Sequence, residues 1–309
     1  MVKDKTVHRS VKRKRGLFSR QTKGEIAFSI VNILLLLLLC VVILFPVYYM
    51  FIVSISEPGA VNRGEVSFLP IGFSLKGYRA LFIKNDVPIA FMNSIVYVAV
   101  GTGINLLLTA LCAYPLSRKK LLGRTAITFF IVFNMFFSAG MISRYMTVTN
   151  LHLRNTIWAI VLPGAISTMN MVIMRTFFMN IPEELHESAK LDGAGEFTIL
   201  FRIVIPLSGA VFATMALFYA VDHWNSWFNA LLYLDNPKQY PLQLLLRGIV
   251  IQGTTLDMDW QLAESGVAEN IGINIKYAMS FIAMAPILVV YPFVQKHFVK
   301  GVMIGSLKG

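Results

Sequence analysis

The stretch Asn180–Leu207, NIPEELHESAKLDGAGEFTILFRIVIPL, lies between two strongly apolar segments and is the densest acidic cluster in the chain. Asn180 is placed to cap a helix, Pro182 suits a first-turn position, and Glu183 and Glu184 favour the positive end of a helix dipole. A short helix is therefore expected over about Pro182 to Leu191. Asp192-Gly193-Ala194-Gly195 ends it, because glycine adopts the left-handed conformation that stops a helix. The apolar run from Phe197 through Pro206 then starts a second helix that returns to a membrane. Two readings follow for the first helix: it rests on the bilayer surface, or it docks on a protein. An anionic leaflet repels Glu183, Glu184, Glu187, Asp192 and Glu196, so charge favours a basic protein partner.

Composition places this stretch in a membrane protein. The chain has 309 residues, 56% hydrophobic and 14% charged, with a mean hydropathy of +0.65, values outside the soluble range. The formal charge of +12 is concentrated at the N-terminus, in Lys3, Lys5, Arg9, Lys12, Arg13, Lys14, Arg15, Arg20 and Lys23. Beside an apolar segment such a tail fixes orientation and touches anionic lipid, and nucleic acid is not the expected partner. The first apolar run, Ile26 to Val53, is too long for a cleaved signal peptide and lacks its small-residue site. Cys40 and Cys112 both fall in apolar runs, which implies neither a disulfide framework nor a metal site.

Six segments have the length to cross a hydrocarbon core of roughly 30 Å: about Ile26 to Val53, Pro88 to Leu116, Thr125 to Ser143, Thr156 to Phe178, Phe201 to His223 and Tyr277 to Gln295. The expected fold is an all-α integral membrane protein with six transmembrane helices. The positive-inside rule puts both termini in the cytoplasm, together with Arg118, Lys119, Lys120, Arg124, the Asn180 loop, Lys296, Lys300 and Lys308. Loops of about Ser54 to Val87, Arg144 to Asn155 and Trp224 to Lys276 then lie outside. The last is too long for a passive connector, and its aromatic opening, Trp224-Asn225-Ser226-Trp227-Phe228, reads either as an interfacial belt or as a contact for a partner or substrate.

Small and polar residues fall at helical spacing: Gly101, Asn105, Thr109 and Ala113 in the second segment, and Gly209, Ala213, Ala216 and Ala220 in the fifth, patterns that let helices approach closely. Pro163-Gly164 and Pro286 are expected to weaken or bend their helices, and bends are tolerated where they line a cavity. The expected substrate path therefore includes Ser167, Thr168 and Asn170 near Pro163, with Asn134, Trp224, Asn225 and Trp227. Asp222 and His223 are expected only at the outer end of the fifth segment, so no ionisable group occupies the centre of a span. Proton relays and ion-coupled carriers need such groups, and the driving energy should come from elsewhere. No G-x-x-x-x-G-K-[ST] loop, H-E-x-x-H pair or nucleophile triad is present, and Asp257, Asp259, Glu264 and Glu269 lack the spacing of a calcium loop. The chain itself is not read as an enzyme.

Glu187-Ser188-Ala189, Asp192-Gly193-Ala194, Phe201 and Ile205-Pro206-Leu207 together resemble the EAA loop of permease subunits of ATP-binding-cassette importers; Ser188 stands where the common form has Ala. The chain as a whole, from Ile26 to Gly309, is similar to the carbohydrate-uptake group, and in particular to the second permease of the maltose system. Its last residues, Gly301-Val302-Met303-Ile304-Gly305-Ser306-Leu307-Lys308-Gly309, look like the terminal signature of a branch handling oligosaccharides and glycans. The resemblance implies a type I importer fold with a basic segment over 1–24, a six-helix permease domain over 25–298 and a cytoplasmic tail over 299–309. Within it lie a coupling helix over 182–193 and a large extracellular loop over 224–276. It implies that Glu183, Glu184, Glu187, Ala189, Asp192, Gly193 and Ala194 form the coupling contact to an ATPase, and that Gly305, Ser306, Lys308 and Gly309 contact it through the tail. The implied partners are a homologous second permease, two ATPase copies that carry ATP and Mg, and an extracellular binding protein. A non-sugar cargo such as a peptide, an ATP-independent carrier or channel, and a membrane-embedded enzyme are the alternatives.

Overall fold

The computed structural model describes residues 22–83, 86–137, 139–252 and 271–306. The basic residues Lys3 to Arg20, the acids Asp257, Asp259, Glu264 and Glu269, and the tail residues Lys308 and Gly309 lie outside them. The regular elements among the described residues are helices, joined by turns and loops, apart from one isolated bridge between Ser56 and Phe73.

The chain divides after Met50 into two units. The first holds most of helix α1, Lys23–Ser54. Its start is a capping box: the Glu25 amide donates to Thr22 Oγ1 and the Thr22 amide donates to Glu25 Oε2, so two orphan donors are satisfied reciprocally. Ile33 to Leu39 are all exposed, and so is the run Val41 to Phe45. A helix that is apolar all round and solvent-free only in lipid is a membrane span.

The second unit contains α2 (Pro58–Asn62), α3 (Lys76–Ile83), α4 (Asp86–Ser117), α5 (Arg124–Phe133), α6 (Gly140–Asn150), α7 (Trp158–Val161), α8 (Thr168–Met179), α9 (Glu183–Leu191), α10 (Glu196–Leu207), α11 (Gly209–Asn225), α12 (Phe228–Tyr233), α13 (Leu242–Arg247) and α14 (Gly272–Ser306). Its centre is α4 crossing α8 and α11. Ala110, Ala113 and Tyr114 of α4, Met171, Met174 and Phe178 of α8, and Val211, Met215 and Tyr219 of α11 form one buried cluster, which α10 joins through Ile199, Leu200 and Val204. A second cluster sits between α3, α13 and α14, where Leu81, Leu242, Ile275 and Met279 are buried.

Helices α1, α4 and the Gly272–Pro292 part of α14 are unbroken and long enough to cross a membrane; α10 and α11 qualify only as a pair, bent by 85°. The expected third segment is divided into α5 and α6, with Asn134 at the end of α5 and Gly140 at φ 74°. The expected fourth is divided into α7 and α8, with Gly164 at φ 87° after Pro163. That break falls where proline and glycine remove a helix donor and admit a left-handed turn. The fifth does not run straight from Phe201 to His223. Leu200–Val204 form a π-turn, Pro206 cannot donate, and Ser208 leaves the helical region at φ −98°, ψ 17°. Pro286, by contrast, lies inside continuous α14.

Candidate functional site

Helix α9 starts at Pro182 without a side-chain cap. Asn180 closes the preceding helix instead, donating its side-chain amide to the Thr176 carbonyl. At the other end the expected stop is present in detail. The Ala194 amide donates to Ala189 and the Gly193 amide to Lys190, with Gly193 at φ 80°. This 6→1 and 5→2 pairing is a Schellman motif, which satisfies the last carbonyls of α9 and turns the chain sharply into α10.

The helix has two faces. His186 and Ala189 are buried, and Ala189 joins the core cluster, so it supports the helix from beneath rather than offering a contact. The His186 ring stacks on Tyr114 of α4, with centroids 6.3 Å apart and planes at 18°, and Nδ1 lies 3.4 Å from the Pro182 carbonyl. Burial pushes the His186 imidazole below its ordinary pKa, and the nearby Arg118 charge does the same. Glu184, Leu185, Ser188, Leu191, Asp192 and Gly193 are exposed on the other side. Leu191 is 89% exposed and Leu122, in the α4–α5 turn, 92%.

Three of the acids have partners within the chain. Arg118 donates to Glu183 at 2.9 Å, Lys120 lies 3.7 Å from Glu187, and Lys190 pairs with Glu196, which also accepts from the Tyr114 hydroxyl at 2.6 Å. Glu184 and Asp192 have no ion pair among the described residues. The surface presented by α9 is thus mixed, two acids around exposed leucines, rather than wholly acidic. Arg118 and Lys120 reach it from a distant part of the chain, a pairing with no local sequence signal.

A polar seam runs between α4 and α11. Thr109 and Tyr219 share a hydrogen bond of 2.7 Å, Asn105 Nδ2 and His223 Nε2 one of 3.2 Å, and the Tyr219 hydroxyl also accepts from the Ser167 amide at 3.1 Å. Gly101 has no room for a side chain: a Cβ there would stand 2.4 Å from His223 Nε2. The stripe Gly101, Asn105, Thr109 and Ala113 is buried as its spacing implied. On α11 the buried face is Val211, Met215, Tyr219 and His223, not the small-residue stripe. His223, in the last turn of α11 as expected, packs against Gly101 near the middle of α4. The helices are antiparallel and α4 extends about 15 residues past this level, roughly 22 Å.

The expected path residues do not form one group. Ser167 caps α8 by accepting from the Asn170 amide, and Asn170 is buried. Asn134 is exposed. Trp224 packs between helices, its indole N–H donating to the Ala283 carbonyl and its ring edge-on to Phe91, and it also lines the cleft that Asn225 borders. Asn225 borders a cleft of about 830 Å³ together with Asp222, Phe218, Pro286 and Tyr291. Trp227 carries the Arg247 guanidinium 4.0 Å above its ring. Of the tail residues, Gly305 and Ser306 belong to the backbone of α14.

Apolar spans, broken helices and a short anchored surface helix define a membrane permease. No protein-family model matches the chain. It is 39% identical over 274 residues to the polygalacturonan/rhamnogalacturonan transport system permease protein YtcP of Bacillus subtilis, covering 89% of this chain and 96% of that one. It is 28% identical to the lactose transport system permease protein LacG of Rhizobium radiobacter, covering 86% and 91%. A crystal structure of a bacterial ABC transporter involved in the import of the acidic polysaccharide alginate contains a chain that superposes with a TM-score of 0.84 at 30% identity, over 91% of this chain and 99% of that one. The chain belongs to the permease proteins of carbohydrate ABC transport systems.

Proposed function

We propose that the chain is one half of a heterodimeric permease in a binding-protein-dependent importer, passing an oligosaccharide or glycan inward when two partner ATPase copies close on ATP and Mg. The termini and α9 face the cytoplasm in this reading, the segment over 224–276 faces outward, and the helical pieces combine into six crossings. The domain bounds are 1–24, 25–298 and 299–309. Glu183, Glu184, Glu187, Asp192, Gly193 and Ala194 form the docking corner, with Leu185 and Leu191 as its apolar centre, the small Ser188 beside them and Ala189 as its support. The tail residues Gly305, Ser306, Lys308 and Gly309 make a second contact with the motor. Substrate passes near Asn134, Ser167, Asn170, Trp224, Asn225 and Trp227.

The observation that carries this reading is the Schellman-ended helix α9, keyed by His186 and Ala189 onto the core that α4, α8 and α11 share, while its opposite face stays exposed. A pull on the exposed face is thereby delivered to the crossing helices, and ATP biases access because docked and undocked states differ in this contact. Gly193→Glu tests it in proteoliposomes containing the whole complex. Nothing lies within 4 Å of a Cβ at Gly193, so the variant assembles with a locally strained backbone. Substrate-stimulated ATP hydrolysis and uptake should both fall well below wild type. An assembled variant that transports at the normal rate removes the coupling role.

A further inference from the structure

Away from the coupling corner and the polar seam, a pocket of about 120 Å³ lies between α6 and α12, lined by Met141, Arg144, Phe228, Asn229 and Tyr233 among others. Arg144 is exposed at its wall, Asn229 half-buried and Tyr233 buried. No carboxylate among the described residues pairs with Arg144, whose neighbour Arg154 is by contrast held by Asp235 at 2.9 Å. The Tyr233 hydroxyl is buried and has no hydrogen-bond partner among the described residues. A buried hydroxyl left unpaired is costly, and a ligand on that side offsets the cost.

The wall is also held in place. Tyr145 stacks on Tyr233 with centroids 6.0 Å apart and planes at 17°, the Arg154 guanidinium lies 5.8 Å from the Tyr145 ring, and the Asn155 amide donates to the Tyr233 carbonyl at 2.9 Å. Asn155 and Arg154 are in turn both fixed on Asp235. Burial raises the Tyr233 pKa while Arg144 opposes the rise, so the phenol keeps its proton and the guanidinium is close enough to be felt. One strand of sequence away, Trp227 stands edge-on to Phe228 at 5.4 Å and under Arg247. Aromatic faces, an amide and guanidinium groups therefore line up along Trp227-Phe228-Asn229.

We propose that the pocket between α6 and α12 is a subsite for the carboxylate of an acidic saccharide, with Arg144 clasping the carboxylate and Asn229 and Tyr233 meeting sugar oxygens. A guanidinium presents two parallel donors that match the two carboxylate oxygens. Asn supplies both a donor and an acceptor for hydroxyls, and Phe228 offers an apolar face to ring C–H groups. A neutral sugar offers the Arg144 guanidinium no charged partner, so the pocket favours uronate-bearing chains over neutral ones. The proposal rests on the importer reading above and on the outward placement of α6 and α12.

The experiment uses the complete complex with its binding protein in proteoliposomes, and two probes: trigalacturonate and the same trisaccharide as its neutral methyl ester. Arg144→Gln should raise the concentration for half-maximal uptake of the acid roughly tenfold, as loss of a charged hydrogen bond implies, and leave uptake of the ester at the wild-type value. Arg144→Lys should recover part of the loss, and the affinity of the unloaded binding protein for the complex should stay unchanged. Equal loss for acid and ester, no loss for either, or weakened docking of the unloaded binding protein overturns the subsite, the last by making Arg144 a docking anchor. A wild-type complex that takes up only the ester overturns it while leaving the importer intact. One that takes up neither, with no stimulated ATP hydrolysis, overturns both.

Discussion

Helix α4 is held at two junctions made of different materials. Against α11 the contacts are neutral and buried: Thr109 with Tyr219, Asn105 with His223, and Gly101 pressed under an imidazole. Past Ser117 they are charged and nearer to solvent: Arg118 with Glu183, which is part-buried, and Lys120 with Glu187, which is exposed. In a low-dielectric interior a hydrogen bond is hard to break because its groups have no water to turn to. At a surface an ion pair exchanges partners at little cost because water and salt screen it. The first junction makes α4 and α11 move together. The second lets α9 trade internal partners for those of a docking protein. A subunit that receives force needs stiffness in the crossing helices and compliance at the point of attachment.

The most severe way to break this contrast is Gly101→Val. A Cβ would overlap the His223 ring, and overpacking of this kind costs about 1–3 kcal/mol, more where backbone must shift. The thermal midpoint of the purified complex should fall sharply, and His223→Ala in the same chain should restore much of it; absence of rescue means that Gly101 serves something other than this fit. Tyr219→Phe comes next. It deprives both Thr109 Oγ1 and the Ser167 amide of a partner, and each unsatisfied buried group costs about 1–3 kcal/mol before relaxation. Equilibrium unfolding in mild detergent should show destabilisation, and Thr109→Val added to Tyr219→Phe should cost less than the sum of the two single changes.

How much of this contrast is legible in sequence depends on how local its cause is. The Asp192-Gly193-Ala194 stop was readable because a Schellman motif is made by neighbours. The same locality misled at Asn180, which stands between two helix ends and serves the earlier one. The four-residue stripe on α4 was readable, since spacing fixes a face. Which face of α11 meets it was not, because large residues Met215 and Tyr219 won over small ones, and pairing depends on a helix over a hundred residues away in sequence. Hydropathy ran across Ser208 without a pause, as summed side-chain polarity does not register a backbone bend; Pro206 and Gly209 were the signals available. Arg118 and Glu183 are 65 positions apart, and Arg144 and Tyr233 meet only after α6 and α12 have folded together.

Between the two extremes sits His186, a titratable ring in the buried half of the charged junction. Its folded-state pKa is lowered, first by burial and then by Arg118, with the Pro182 carbonyl, Glu183 and Glu196 opposing. A histidine held neutral adds no pH dependence above its unfolded value of 6.5. Below that value the undocked helix binds a proton more readily than the docked one, so the hold of α9 weakens as pH falls from 6.5 through the folded pKa. The thermal midpoint of the wild-type complex should decline across that window. His186→Phe, which keeps a ring to stack on Tyr114, should flatten this part of the profile; an unchanged slope assigns it to another group.

The two ion pairs at α9 give the finest division. Arg118 and Glu183 have side chains 17% and 36% exposed, whereas those of Lys120 and Glu187 are 78% and 60% exposed and their charged atoms are 3.7 Å apart. Breaking the first leaves a partly desolvated charge, for which a coupling energy of about 1 kcal/mol is reasonable after discounting for solvent. The second is a solvated pair with near-zero coupling, at most about 0.5 kcal/mol. Double-mutant cycles with Arg118→Ala and Glu183→Ala, and with Lys120→Ala and Glu187→Ala, measure both by equilibrium unfolding. If the pairs are temporary partners that a docked ATPase displaces, the first coupling should shrink when the cycle is repeated in the full complex with ATP, because Glu183 then has another cation to answer it. A coupling of the same size in both states means that Arg118 holds Glu183 throughout the cycle, and the compliance of this corner must come from the turn at Gly193 alone.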